Sequence, residues 1–165
     1  MEPSDFIAIA DASGLIVPLT EWALRKGCAH AARYQSLGSQ PRLAFRISAR
    51  PLNDQHFTDK ISRIAFGTVF DPRLLKLEIA EDAVTNRNTA VFRTIQTLGP
   101  MGAGLTIDGF GGSYAVLSHL KRLQIRKLKL DPSLMRQVDN GGCSNLAGDP
   151  TAWAQVVGAD CRARR

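Results

Sequence analysis

Charged side chains stand at the ends of several short apolar segments of the sequence. Glu78 lies in LLKLEI, Asp108 ends GLTID, and Lys129 and Asp131 close IRKLKLD. If these segments are parallel strands, their carboxyl ends meet at one edge of the sheet and bring the charges together. Two carboxylates and a lysine suit a divalent cation and a phosphate ester, since carboxylate oxygens hold Mg²⁺ or Mn²⁺. The alternative interpretation of each charge is a turn or a helix cap.

Helical and strand-like segments alternate along the chain and would position these charges. The spacing of apolar residues predicts helices over 18–38, 54–66, 86–98 and 113–123. Short apolar runs predict strands over 42–48, 74–79, 104–108 and 125–130. This alternation is typical of an α/β fold with a parallel sheet. Residues 139–165 are rich in Gly, Ala and Asp without a sustained apolar pattern, so an irregular or disordered tail is predicted there.

The composition is that of a globular protein with a moderate positive charge. Its 165 residues are typical of one domain, Lys and Arg exceed Asp and Glu by 21 to 15, and 44% of the residues are hydrophobic. The basic cluster between His119 and Arg136 contains no aromatic residue, which argues against single-stranded nucleic acid as a partner. The sequence has no apolar segment of membrane-spanning length, no basic leader and three dispersed cysteines. A cytoplasmic location without a membrane segment is therefore predicted.

Four blocks of the sequence resemble successive blocks of the EAL domain family. They read FIAIADASGLIVPLTEWALRKGC, LAFRISARPL, DPRLLKLEIAED and LTIDGFGGSYAVLSHLKRLQIRKLKLDPSLMRQV. The resemblance covers residues 6–138, and it predicts a partial EAL-type domain over residues 1–138. It implies a TIM-type barrel that hydrolyses cyclic di-GMP to pGpG, with two Mg²⁺ or Mn²⁺ ions and a metal-activated water.

The resemblance also implies roles for individual residues. Glu78 and Asp108 match metal ligands of the family. Lys129 matches a lysine near the attacking water and is the predicted catalytic residue. Glu81 matches a residue that anchors the loop after the next strand, and Asp131 matches one with a mainly structural role. The residues that would bind the nucleotide are not identified by the sequence.

Several ligands typical of the family are replaced in this sequence. Arg46 stands where the family carries a metal-binding Asn, and Gly109 stands where it carries a second Asp. The Glu-Ala-Leu strand and the later blocks with a further metal-binding Glu are not found. Productive binding of Mg²⁺ or Mn²⁺ is therefore not expected, because two carboxylates alone cannot fix a catalytic pair of ions. Arg46 is expected to pair with Glu78 or Asp108 and to replace an ion electrostatically.

The predicted architecture is a partial TIM-type (β/α) barrel of about four parallel strands with flanking helices, open rather than closed. An open sheet exposes two strand edges and an apolar inner face, which predicts self-association. Three functions stay open at this point. The chain is a catalytically inactive EAL-type module that binds cyclic di-GMP or a protein partner, a residual metal-dependent phosphodiesterase, or a non-functional gene remnant. The replaced ligands favour an inactive protein over an active enzyme.

Overall fold

A single parallel sheet organises the computed structural model, which describes residues 3–85, 89–110, 123, 125, 127–131 and 160–163. Its strands lie in chain order and comprise β1 (Leu43–Ile47), β2 (Leu75–Ala80), β3 (Gly104–Phe110), β4 (Lys127–Leu130) and β5 (Asp160–Ala163). The helices in the described part are α1 (Pro3–Ser13), α2 (Ile16–Gln35), α3 (Ala49–Leu52), α4 (Phe57–Thr68), α5 (Glu81–Thr85) and α6 (Thr89–Leu98). A short 3₁₀ turn, Pro72–Leu74, leads into β2.

The structure confirms the predicted open α/β sheet and adds one strand to it. The segments predicted as strands overlap β1 to β4, and those predicted as helices before residue 99 overlap α2, α4 and α6, with ends that differ by up to three residues. The helix predicted over 113–123 lies outside the described residues except at its last position. β1 and β5 do not pair with each other, so each has one edge without a strand partner among the described residues. Self-association through these edges stays a prediction.

Strand β5 lies in the segment for which the sequence predicts no regular structure. Residues 160–163 run parallel to β4, with Lys127 opposite Asp160 and Leu130 opposite Ala163. At these four residues the structure differs from the predicted irregular tail, while residues 132–159 lie outside the described part. The difference has a physical reason. A short strand is held by the backbone groups of its neighbour, and a local sequence pattern does not reveal that neighbour.

The hydrophobic core lies between the sheet and its helices. In β2, Leu75, Leu77 and Ile79 are at most 1% exposed, whereas the residues between them are only partly buried. Successive strand residues point to opposite faces, so this alternation places one apolar face against the helices. The buried helix residues that complete this core include Leu24, Leu52, Phe57, Ile61, Ile64, Val91, Ile95 and Leu98. The expected apolar inner face is therefore wrong, because the apolar strand residues pack under the helices and the other face carries charge.

Helix α2 packs closely on β1 through small and apolar residues. Gly27 lies so near the strand that a Cβ atom there would come within 2.7 Å of Cζ of Phe45. Cys28, next to it, is 1% exposed, and burial raises the pKa of its thiol to about 11. The thiol is therefore neutral at physiological pH and serves as a small apolar core residue.

A polar cluster joins the start of α4 to α2. Lys60 Nζ donates hydrogen bonds to Glu21 Oε1 at 2.6 Å and to Asp54 Oδ2 at 2.8 Å. The backbone N–H of His56 donates to Asp54 Oδ1 at 2.9 Å. The hydrogen bond from Lys60, and then the one from His56, lowers the pKa of Asp54 below its ordinary value. Asp54 therefore stabilises the fold in its charged form.

Replacing Asp54 with Asn is expected to cost about 1 kcal/mol of unfolding free energy at pH 7, because charge-assisted hydrogen bonds are lost. A carboxyl whose pKa is lowered in the folded state stabilises the fold above its unfolded pKa of about 3.9, and that contribution disappears as pH falls through the folded pKa. The difference between the wild type and D54N should therefore shrink from pH 6 to pH 3. Urea unfolding at pH 6, 5, 4 and 3 measures it.

The matched control is Asp59→Asn, since Asp59 is 72% exposed and its contact with His56 is 3.9 Å long. D59N should unfold within about 0.5 kcal/mol of the wild type at every pH. A D54N deficit that stays constant down to pH 3 would contradict an ionised Asp54 as its source.

Candidate functional site

Charged side chains from four neighbouring strands come together on the face of the sheet that points away from the helices. We call the group formed by Arg46, Lys76, Glu78, Asp108 and Lys129 the charged face. The strand register explains the grouping. Arg46 on β1 lies opposite Glu78 on β2, and Asp108 on β3 lies opposite Lys129 on β4. These positions lie near the carboxyl ends of the strands, where parallel α/β folds build their sites.

Arg46 forms an ion pair with Asp108. Its Nη1 atom lies 3.4 Å from Asp108 Oδ2, and the two side chains are 58% and 4% exposed. This confirms the expectation that Arg46 pairs with one of the two carboxylates, and the partner is Asp108. The other carboxylate oxygen, Oδ1, is buried without a hydrogen-bond partner among the described residues, and so is the hydroxyl of Thr106 two residues earlier. Among the described residues, Arg46 is therefore the one cation in ion-pair contact with the buried carboxylate of Asp108.

Glu78 is held by two lysines. Its Oε2 atom accepts a hydrogen bond of 2.5 Å from Lys129 Nζ, and its Oε1 atom lies 3.2 Å from Lys76 Nζ. Burial raises the pKa of Glu78, but the hydrogen bonds from Lys129 and Lys76 outweigh it, so the net pKa is lower than usual. Glu78 is thus a charged carboxylate at neutral pH, with both oxygens facing cations.

The other residues singled out by the sequence lie around this group. Gly109 adopts a φ of +75° where the register shifts between Asp108 and Phe110, as in a β-bulge. Glu81 begins α5 and is 9% exposed, while the loop that it is predicted to anchor lies outside the described residues. The backbone N–H of Asp131 donates to the Phe110 carbonyl at 2.9 Å. The predicted roles of Glu81, Lys129 and Asp131 stay predictions.

Sequence reasoning missed Lys76, which joins the charged face through Glu78. The signal was present, since Lys76 stands two residues before Glu78 in LLKLEI. Residues two apart in a strand share a face.

The donor set of the charged face does not fit a divalent metal ion. Across the part of the chain that the structure describes, no three His, Cys, Asp or Glu side chains are grouped closely enough to hold one. Mg²⁺ and Mn²⁺ need several oxygen ligands. Here both oxygens of Glu78 and one of Asp108 already face a lysine or an arginine. An incoming ion would have to displace those cations.

The EAL domain family model matches residues 1–161. The chain belongs to the EAL domain family. The match continues past residue 138, where the sequence predicts the end of the domain, into the stretch that contains β5. Phosphodiesterases of the family generally depend on divalent metal ions. No helix in the described part is long and apolar enough to span a membrane.

Curated relatives of this EAL domain include cyclic di-GMP phosphodiesterases. PA2567 of Pseudomonas aeruginosa is 30% identical over 92% of this chain, which corresponds to 24% of that protein. PdeR of Escherichia coli is 32% identical over 82% of this chain and 21% of that protein. The uncharacterized protein Rv1357c of Mycobacterium tuberculosis is 30% identical over 93% of this chain and 51% of its own length. The chain thus spans between a fifth and a half of these relatives.

Solved EAL structures share the fold. PaMucR phosphodiesterase in its c-di-GMP complex has a TM-score of 0.86 and 25% identity, and the match covers 99% of this chain and 67% of that one. The EAL domain of DcpA from Mycobacterium smegmatis has a TM-score of 0.73 and 28% identity, over 88% of this chain and 66% of that one. The open sheet therefore corresponds to part of a TIM-barrel-like domain.

Proposed function

We propose that this chain is an EAL-type module that binds cyclic di-GMP without a metal ion and does not hydrolyse it. The Arg46–Asp108 ion pair carries the proposal. A guanidinium keeps its positive charge at every physiological pH, and here it lies beside a carboxylate that the family resemblance assigns to metal binding. A divalent cation at the same place would meet its electrostatic repulsion.

The contacts of Glu78 and Lys129 support the loss of hydrolysis. In two-metal sites the ions activate a water and clamp the attacking and leaving oxygens. Glu78 is bound by Lys129 and Lys76, and Asp108 is bound by Arg46. Only Asp108 Oδ1 is left without a cation beside it among the described carboxylate oxygens of this group, and one oxygen cannot hold a pair of metal ions, so the water keeps its ordinary acidity. Lys129, the predicted catalytic residue, acts in this proposal as a fixed cation.

The same cations suit the phosphates of a cyclic dinucleotide. Arg46 is 58% exposed and touches Asp108 through Nη1, while a guanidinium has five N–H donors in a planar fork that fits phosphate oxygens. Lys129 is 29% exposed and adds a second cation nearby. The similar MucR phosphodiesterase was solved as a complex with c-di-GMP, which supports this ligand class. Since cyclic di-GMP is a bacterial second messenger, the proposed role of the module is in cytoplasmic signalling.

Two measurements on the purified chain test this function. Fluorescently labelled cyclic di-GMP is titrated with protein in EDTA and followed by anisotropy, and pGpG is quantified by chromatography after incubation with Mn²⁺. We expect binding in EDTA and no pGpG above a protein-free control, with an active EAL phosphodiesterase as the positive control for turnover. Mn²⁺-dependent pGpG formation would show a residual phosphodiesterase instead. No binding, together with no cooperative thermal transition, would favour the gene-remnant alternative.

A further inference from the structure

Lys76 lies two residues before Glu78 on β2, and its side chain extends to Glu78 on the charged face. Its register neighbours are Ala44 on β1 and Gly104 on β3, two residues with little or no side chain. A Cβ atom built on Gly104 would lie 4.0 Å from Cγ of Lys76, which is ordinary van der Waals contact. The small neighbours therefore leave room for the lysine stem along the sheet. Its ammonium group ends 3.2 Å from Glu78 Oε1, and the side chain is 33% exposed.

This lysine decides the charge balance of the charged face. Lys129 with Glu78, and Arg46 with Asp108, would form two neutral ion pairs. Lys76 adds a third cation against the same two carboxylates, so this group of five side chains carries a net charge of +1. A neutral group has no long-range attraction for an anion, whereas a net positive one does.

We infer that Lys76 is a ligand-binding residue of this site, and that it supplies the excess positive charge which draws a phosphodiester of the ligand. The inference rests on the proposed function and adds to it a residue that neither the family motifs nor the comparisons assign. When a phosphodiester approaches, its single negative charge matches the single excess positive charge. That phosphodiester then needs no accompanying metal ion to neutralise it, while the second phosphodiester of cyclic di-GMP keeps its own charge.

A purely structural role is the competing explanation. In that case Lys76 only balances Glu78, whose side chain is 13% exposed. Loss of the lysine would then lower the thermal midpoint and leave the affinity for nucleotide unchanged. The two roles therefore differ in a binding constant, which can be measured separately from stability.

The test compares Lys76→Met, which keeps most of the stem, with Lys76→Arg, which keeps the charge. Arg73→Met is the matched control, because Arg73 pairs with Asp71 on the surface, is 80% exposed, and its loss changes the net charge equally. The probe is fluorescent cyclic di-GMP in EDTA, titrated at 50 and 300 mM NaCl. Thermal melts of all variants establish that each is folded.

We expect K76M to bind about five- to tenfold more weakly at low salt, as the loss of one partly exposed charged contact implies. K76R and R73M should stay within about twofold of the wild type, and the K76M deficit should shrink at high salt. Wild-type affinity in a folded K76M would overturn the role of Lys76 while leaving the proposed function intact. A wild-type protein that binds no nucleotide in EDTA would overturn both.

Discussion

Replacing Arg46 with Asn is expected to let the charged face hold a largely hydrated Mn²⁺ ion beside Asp108. The change removes the guanidinium that lies 3.4 Å from Asp108 Oδ2 and supplies an amide oxygen, a ligand type that hard cations accept. At Mn²⁺ concentrations about 100-fold above its dissociation constant, binding adds about 2.7 kcal/mol to the folded state, which corresponds to roughly 5 to 10 °C in the thermal midpoint. The wild type should show no such shift.

The same substitution should weaken nucleotide binding and, without metal, the fold. Affinity for cyclic di-GMP in EDTA is expected to fall at least about tenfold, because a bidentate guanidinium contact with phosphate is lost. Asp108 is 4% exposed and would lose the cation that compensates its buried carboxylate, so the metal-free variant should lose about 1–2 kcal/mol of stability. Differential scanning fluorimetry with EDTA or Mn²⁺, and anisotropy in EDTA, measure the two effects.

Two control variants separate charge from ligation. Arg46→Met removes the cation without adding an oxygen, so it should lose nucleotide affinity and gain little response to Mn²⁺. Arg50→Asn removes a nearby arginine that is 50% exposed and 4.0 Å from Asp11, and it should leave both properties unchanged. If wild type and R46N shift equally with Mn²⁺, Arg46 does not keep metal away from Asp108.

The strand pattern of the sequence was enough to place the carboxylates together. Apolar runs of five to seven residues mark β1 to β4, and parallel strands align their carboxyl ends, so Arg46, Glu78 and Asp108 had to lie close to one another. The strand pattern did not predict that Arg46 would form its ion pair with Asp108 and not with Glu78. This choice of partner depends on the two lysines that already contact Glu78. One of them, Lys76, makes its contact only because its side chain extends along the strand to Glu78.

Elements that depend on distant neighbours were the ones that the sequence did not reveal. Strand β5 is held by the edge of β4. Helix α1 leaves Phe6, Ile7 and Ile9 between 41% and 64% exposed, so it lacks a continuous buried stripe that a periodicity argument would detect. The polarity of the inner sheet face was misjudged for a related reason, because hydrophobicity alone does not say which strand face meets the helices.

Leu77→Ala tests whether that sheet and its helices form one cooperative unit. Leu77 is fully buried in β2, between Phe45 on β1 and Leu105 on β3 in the register. Truncation loses the transfer free energy of three carbon atoms and leaves a cavity, so we expect about 3 kcal/mol of destabilisation. For a chain of this size the thermal midpoint should fall by roughly 6 to 12 °C.

The matched control is Phe66→Ala, since Phe66 is 89% exposed and its removal should change stability by less than about 0.5 kcal/mol. Urea unfolding followed by fluorescence and by circular dichroism should give coincident transitions for both variants. Equal midpoints for L77A and F66A would contradict a core packed under β2. Leu77 directly precedes Glu78, so a loosened β2 would also disturb the contacts of Glu78 with its two lysines. L77A should therefore lose nucleotide affinity as the temperature approaches its lowered midpoint. F66A should keep its affinity over the same temperature range.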